Sequence, residues 1–153
     1  MNDPMEQKTY TVVERIYSKL LNIKMGKSTI CYSECFSYIF DIEYNQKYCH
    51  LITERAGVIN NIPYILGAIG RTCNELKMPP LCCLVVNKST GQCGEGVITS
   101  REIPINERAE FAEKIDRPNV YNFPDYPELG TQQCIDFLNC VMNKLRKEGI
   151  TND

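Results

Sequence analysis

Four things are missing from this sequence of 153 residues. No apolar run approaches the roughly 20 residues a membrane-spanning helix requires. The opening MNDPMEQKTY carries neither a basic region nor an apolar core of the kind a secretory signal needs. There is no run of lysine and arginine: 17 basic residues face 19 acidic ones and the isoelectric point is near 5.5, which is not the footprint of a dedicated nucleic-acid binder. Histidine occurs once, at His50, and no Cys-x-x-Cys pair occurs, so a zinc centre has few candidate ligands. The nine cysteines are an odd number scattered without a framework. Together with the missing export signal, they imply reduced, buried thiols in a cytoplasmic protein.

The chain reads as a single domain over 1–153, with a core over about 7–100 and a helical extension over 101–150. Its organising stretch runs from Pro63 to Val97. Asn60 and Asn61 can cap a helix and Pro63 suits a first turn, so a helix is expected over Pro63–Lys77 with Ile65, Leu66, Ile69, Cys73 and Leu76 on its apolar face. Gly67 and Gly70 on that helix imply close approach by a neighbour. Pro79-Pro80 stops the helix, and Leu81–Val86 has the length and apolarity of a buried strand. Asn87–Gly96 carries turn chemistry, and Val97–Thr99 is the expected hairpin return.

Elsewhere the periodicity predicts a first helix over Glu6–Lys24, with Val13, Ile16, Tyr17, Leu20 and Leu21 inward, ended by a left-handed cap at Gly26. Lys27–Tyr32 is extended, and Ser33 caps a second helix to about Ile42. Tyr44–Asn61 is ambiguous. Glu107–Ile115 is a further helix that Arg117-Pro118 terminates. Asn119–Leu129, with Tyr121, Phe123, Tyr126 and two prolines, is an ordered loop. The last helix spans Thr131–Lys147 with Ile135, Leu138, Val141, Met142 and Leu145 inside, and Lys144, Arg146 and Lys147 favourably placed at its C-terminus. The fold class is α+β, mostly helical with a small antiparallel sheet or hairpin.

Chemistry-bearing motifs weigh lightly. Gly26-Lys27-Ser28-Thr29 echoes the end of a phosphate-binding loop, but Leu21 stands at the required upstream glycine and a helix precedes it. Asn87-Lys88-Ser89-Thr90 lacks the aspartate that guanine recognition requires. Cys49 and His50 are adjacent, so their side chains diverge; Cys31, Cys35 or Cys73 could reach the histidine only in three dimensions. Cys82 and Cys83 point to opposite faces of a strand, and neither they, nor Cys31 with Cys35, nor Cys134 with Cys140, make a good metal pair. No cofactor, metal or catalytic residue is expected. Arg71 and Arg101 flank the central stretch and read first as surface arginines. The aromatic loop is either a lid over the core or a partner-binding patch.

Two blocks resemble the DNA-binding domain of the alkylguanine-DNA alkyltransferases and alkyltransferase-like proteins. The first is Val12–Ile39, VVERIYSKLLNIKMGKSTICYSECFSYI; the second is the central stretch with Leu66-Gly67, Pro80, Leu84–Val86, Gly91 and Gly96 in the family's order. Together they cover under half of the chain. The family's reactive Pro-Cys-His-Arg is missing, the corresponding strand reading Cys83-Leu84-Val85-Val86-Asn87. The resemblance implies a winged-helix-like core without alkyl transfer.

Two functions follow as expectations. The first is a non-enzymatic protein-binding domain of the immunity or antitoxin type that neutralises a basic toxin, its contact residues Tyr121, Phe123, Asp125 and Tyr126. The second is a winged-helix DNA binder in which Arg71 on the central helix enters a groove and Lys88 and Arg101 assist. A cysteine enzyme ranks last.

Overall fold

The computed structural model describes residues 4–31, 34, 62–86, 106 and 117–147. Four helices and two very short strands are described: α1 (Pro4–Met25), β1 (Ile30–Cys31), α2 (Ile62–Glu75), a 3₁₀ turn (Leu81–Leu84), β2 (Val85–Val86), α3 (Arg117–Asn122) and α4 (Gln132–Lys147). The α+β class and the helical predominance agree with the sequence. The second helix from Ser33, the helix over Glu107–Ile115, the segment Tyr44–Asn61 and the hairpin over Asn87–Thr99 lie outside the described residues.

The sheet differs from expectation. β1 and β2 pair in parallel, Ile30 opposite Val85 and Cys31 opposite Val86. Leu81–Val86 was expected as one strand, but its first four residues tighten into the 3₁₀ turn, whose Cys83 N–H donates to the Pro80 carbonyl at 3.1 Å. The turn spends backbone N–H groups internally, so ladder pairing starts only at Val85. The partner strand then comes from the chain just after α1, and a parallel pair needs the long crossover that separates residues 31 and 85.

α1 buries Val12, Val13, Ile16, Tyr17 and Leu20, while Glu14 and Arg15 are exposed. The left-handed residue that closes α1 is Lys27 (φ 50°), one position later than the expected Gly26. The Ser28 N–H reaches the Ile23 carbonyl at 3.1 Å and the Lys27 N–H reaches Lys24 at 3.0 Å, the paired bonds of a Schellman cap. α2 ends the same way: Lys77 is left-handed (φ 61°), Met78 N–H donates to Cys73 at 2.8 Å and Lys77 N–H to Asn74 at 3.1 Å. The double proline therefore follows the helix stop and does not cause it. Buried Cys73 and Met78 supply the apolar contact such a cap favours.

α2 is the centre of the fold, packing against α4 and the 3₁₀ turn. Leu81 through Val86 are all buried behind it. A Cβ on Gly70 would lie 2.7 Å from Cys82 Sγ, which is the close approach the glycine permits; at Gly67 the nearest atom is only the tip of Arg71 at 3.3 Å. Val120, Phe137, Leu138 and Val141 from the C-terminal third join the same core as Val13 and Ile69.

Two further corrections concern that third. Arg117-Pro118 opens α3, so Asn119–Asn122, expected as loop, is helical; a proline's fixed φ and missing N–H suit a first turn. α4 starts where the Thr131 Oγ1 accepts the Cys134 N–H at 3.2 Å, an N-cap. Its inner face is Cys134, Phe137, Leu138, Val141, Met142 and Leu145, whereas Ile135 is exposed, as is Leu76 beyond the end of α2. Lys144, expected at the solvated C-terminus, is 7% exposed and donates to Glu75 Oε2 at 2.9 Å, tying α4 to the last turn of α2.

Candidate partner-binding surface

The aromatic segment is held down by three tyrosine hydroxyls. Tyr121 donates to the Ser28 carbonyl at 2.8 Å, Tyr126 to the Pro79 carbonyl at 2.5 Å, and Tyr17 of α1 to the Pro127 carbonyl at 2.5 Å. These clips fix the segment to the turn after α1, to the turn after α2 and to α1 itself. The Tyr17 ring lies 5.0 Å from that of Phe137, and the Phe123 and Tyr126 rings meet edge-on at 4.8 Å. Lys24 Nζ stands 5.7 Å from the centre of the Tyr126 ring, within cation–π range. Burial raises the Tyr126 and Tyr17 hydroxyls well above their ordinary titration range, with nearby cysteines adding to it. Of the two sequence readings of this segment, lid or patch, the clips supply the first.

The four residues expected at a partner contact divide. Tyr126 is buried and Tyr121 half-buried, both committed to the clips; Phe123 is half-buried and Asp125 exposed. Phe123 and Asp125 form one wall of a groove of about 370 Å³ with Leu76, Met78, Pro127, Gln133, Asp136, Phe137 and Cys140. Phe137 and Met78 are its buried floor, while Leu76 stands half in solvent. The charged lining residues, Asp125 and Asp136, are both acidic. Sequence reasoning placed Leu76 in the core and overlooked α4's contribution. Gln133, Asp136, Phe137 and Cys140 are spaced i, i+3, i+4 and i+7, so they share one helical face, and that spacing was the available signal.

The residues of the DNA-binding expectation fall elsewhere. Lys88 and Arg101 lie outside the described residues. Arg71, expected at the surface, is 8% exposed, and no residue of α2 between positions 65 and 73 is exposed. Arg71, the side chain expected to enter a groove, is therefore packed into the protein and not offered at its surface.

Among the described residues no cysteine shows the surroundings of an activated thiol. Cys31, Cys73, Cys82, Cys83 and Cys134 are buried and free, and Cys140 is partly exposed. Burial pushes the Cys73 thiol up to about 12, with backbone hydrogen bonds opposing, which removes the thiolate at neutral pH. Cys31 donates to Glu34 Oε1 at 2.8 Å. Among the described residues no group of three His, Cys, Asp or Glu side chains could hold a metal ion, and no helix is long and apolar enough to cross a membrane. No family model, curated protein or solved structure matches this chain.

Proposed function

We propose that this protein is a binding domain without chemistry of its own, of the immunity or antitoxin type, which engages a basic protein partner through the segment 121–127 and the surface beside it. The observation that carries this reading is a division of labour within seven residues. Tyr121, Tyr126 and Pro127 are tied to the body of the protein, while Phe123 and Asp125 between them remain partly or fully at the surface. A contact surface fixed before binding loses little conformational freedom on association, a loss of roughly 0.5–1.5 kcal/mol for each side chain that must otherwise be immobilised. The slight excess of acidic residues supports a basic partner by charge complementarity.

The test is co-purification of the tagged full chain from its native cell at moderate salt. A stoichiometric, basic protein is the expected result; recovering no protein partner removes the proposal. A finer reading of the fold belongs here as well. The glycine-bearing helix packed on the post-proline segment supports a winged-helix-like core resembling the alkyltransferase DNA-binding domain. Finding no antiparallel hairpin over residues 87–99 in an experimental structure removes that reading.

A further inference from the structure

We infer that the groove between the end of α2 and the first turns of α4 seats one short segment of the partner chain, in which bulky apolar side chains alternate with lysine or arginine. This rests on the partner-binding reading and names its site and the chemistry of its occupant. The groove has a built apolar interior: Phe137, Met78 and Pro127 are buried at its base, and Leu76 and Phe123 line it while still partly in solvent. Its volume of about 370 Å³ is within the range of recognition pockets, roughly 300–1,000 Å³. Leucine and phenylalanine edges lining one concavity form a site that an apolar side chain fills by displacing water held against carbon.

Charge selects the occupant's other component. Asp125 has no hydrogen-bonding or ionic partner among the described residues, and Asp136 uses one oxygen, Oδ1, to accept from Gln132 Nε2 at 3.0 Å. Lys77 is exposed and lies between Leu76 and Met78 in the chain, but it does not line the groove. Every charged group that lines the groove is thus a carboxylate. Such a lining repels a phosphate or an acidic peptide and attracts a cation carried beside an apolar anchor. Arginine and lysine meet both requirements, since their aliphatic stems lie along apolar surface while their charged ends reach the rim.

Cys140 supplies a built-in reporter, because it lines the groove and is the one described cysteine that is not buried. The experiment uses the full chain and two fluorescent peptides of about a dozen residues. Both alternate leucine or phenylalanine with a charged residue, lysine or arginine in one and glutamate in the other. Anisotropy titrations at low and high salt are paired with site-resolved alkylation of the cysteines. The basic peptide is expected to bind at least about tenfold more tightly than the acidic one. The double variant Asp125→Asn, Asp136→Asn is expected to lose about five- to tenfold of that affinity and most of its salt dependence. Bound peptide should slow alkylation of Cys140 several-fold, an effect the buried thiols cannot show.

Equal binding of the two peptides, unchanged affinity in the double variant, or undiminished Cys140 alkylation each overturns the inference. So does a concentration-dependent dimer that shields Cys140 and excludes the peptide. Both substituted carboxylates are exposed, and an unchanged far-ultraviolet spectrum establishes that the variant is folded. A co-purified partner retained undiminished by the double variant overturns the groove assignment and leaves the partner-binding reading standing. Peptide binding at Cys140 with no partner from the cell does the reverse.

Discussion

Gly70 is the position where the packing argument can be tested most directly. It lies inside α2, where replacing glycine by alanine should gain about 1 kcal/mol from helix propensity alone. The structure predicts a loss. The added Cβ would lie 2.7 Å from Cys82 Sγ, about 1 Å inside the 3.5–4.0 Å at which unbonded heavy atoms rest. Cys82 cannot swing aside, because it is 2% exposed within a 3₁₀ turn whose four residues are all buried. Overpacking of this kind costs roughly 1–3 kcal/mol, and a contact this short belongs at the upper end. The net expectation for Gly70→Ala is a destabilisation of about 1–2 kcal/mol, or a fall in Tm of about 3–6 °C followed by circular dichroism. Cys82→Ala removes the obstructing sulfur and leaves a small void that the new methyl group can enter. The double variant should therefore recover, with a favourable coupling of about 1–3 kcal/mol. Gly67→Ala is the control, since its Cβ meets only the end of the Arg71 side chain at 3.3 Å, and it should stay within about 1 kcal/mol of the parent. A Gly70→Ala protein as stable as the parent, or a penalty that persists when Cys82 is alanine, would refute the close packing of α2 on the 3₁₀ turn.

Lys27 and Lys77 adopt left-handed conformations that disfavour a side chain by about 1–2 kcal/mol, so Lys27→Gly or Lys77→Gly should raise the urea midpoint modestly after the extra freedom of the unfolded glycine is deducted. Tyr17→Phe leaves the Pro127 carbonyl without its donor and should cost about 1–3 kcal/mol, with hydrogen exchange accelerated across 121–130. Stability should fall at alkaline pH. The Cys73 thiol holds its proton up to about 12 when folded but releases it near 9.0 when unfolded, so its contribution is intact below pH 9 and declines by about 1.4 kcal/mol per pH unit towards pH 12. Tyr17 and Tyr126, raised from 10.0 in the same sense, add to the decline above pH 10. A urea midpoint constant from pH 8 to pH 11 would contradict their burial. In gel-shift titrations at low salt the protein should show no DNA affinity better than roughly 10⁻⁴ M, because Arg71, the side chain expected to enter a groove, is buried.

The parts of the fold that could be read beforehand are those in which periodicity and burial agree over several turns. α1, α2 and α4 were each placed within two residues, and Val13, Ile16, Ile65, Ile69 and Val141 lie where their spacing puts them. The errors collect where one residue can satisfy two local rules. Pro118 follows a residue it biases away from helix, yet it is also suited to a first helical turn, and only the tertiary anchor at Val120 decides for the helix. Gly26 is the obvious left-handed cap, but the register of the two closing hydrogen bonds assigns that role to Lys27. The run Leu81–Val86 reads as strand by composition, yet its first half closes on the Pro80 carbonyl as a 3₁₀ turn. Lys144 illustrates the limit of charge counting: a lysine in a last helical turn is normally solvated, and its burial follows from Glu75 arriving across a different helix.

The candidate surface was half visible for the same reason. Aromatic side chains close together in sequence announce an ordered segment, and that segment is where the clips are found. Whether each ring is spent inward or remains outside depends on carbonyls of Ser28 and Pro79, separated from their tyrosines by 93 and 47 positions. No periodicity reports such pairs. The clips also fix the shape of this surface. Tyr126 anchors Asp125 from one side and Tyr121 anchors Phe123 from the other, so the acid and the ring are held at the edge of a groove whose opposite wall is α4. Loosening a clip should then weaken partner binding without touching the groove's own residues. Tyr121→Phe removes only the exposed hydroxyl bonded to Ser28, and its cost in stability should be under about 1 kcal/mol. If segment and groove work as one preformed surface, that variant binds the basic peptide more weakly while Cys140 remains alkylated at the parent rate in the free protein. An unchanged affinity would show that the surface does not depend on being fixed in advance.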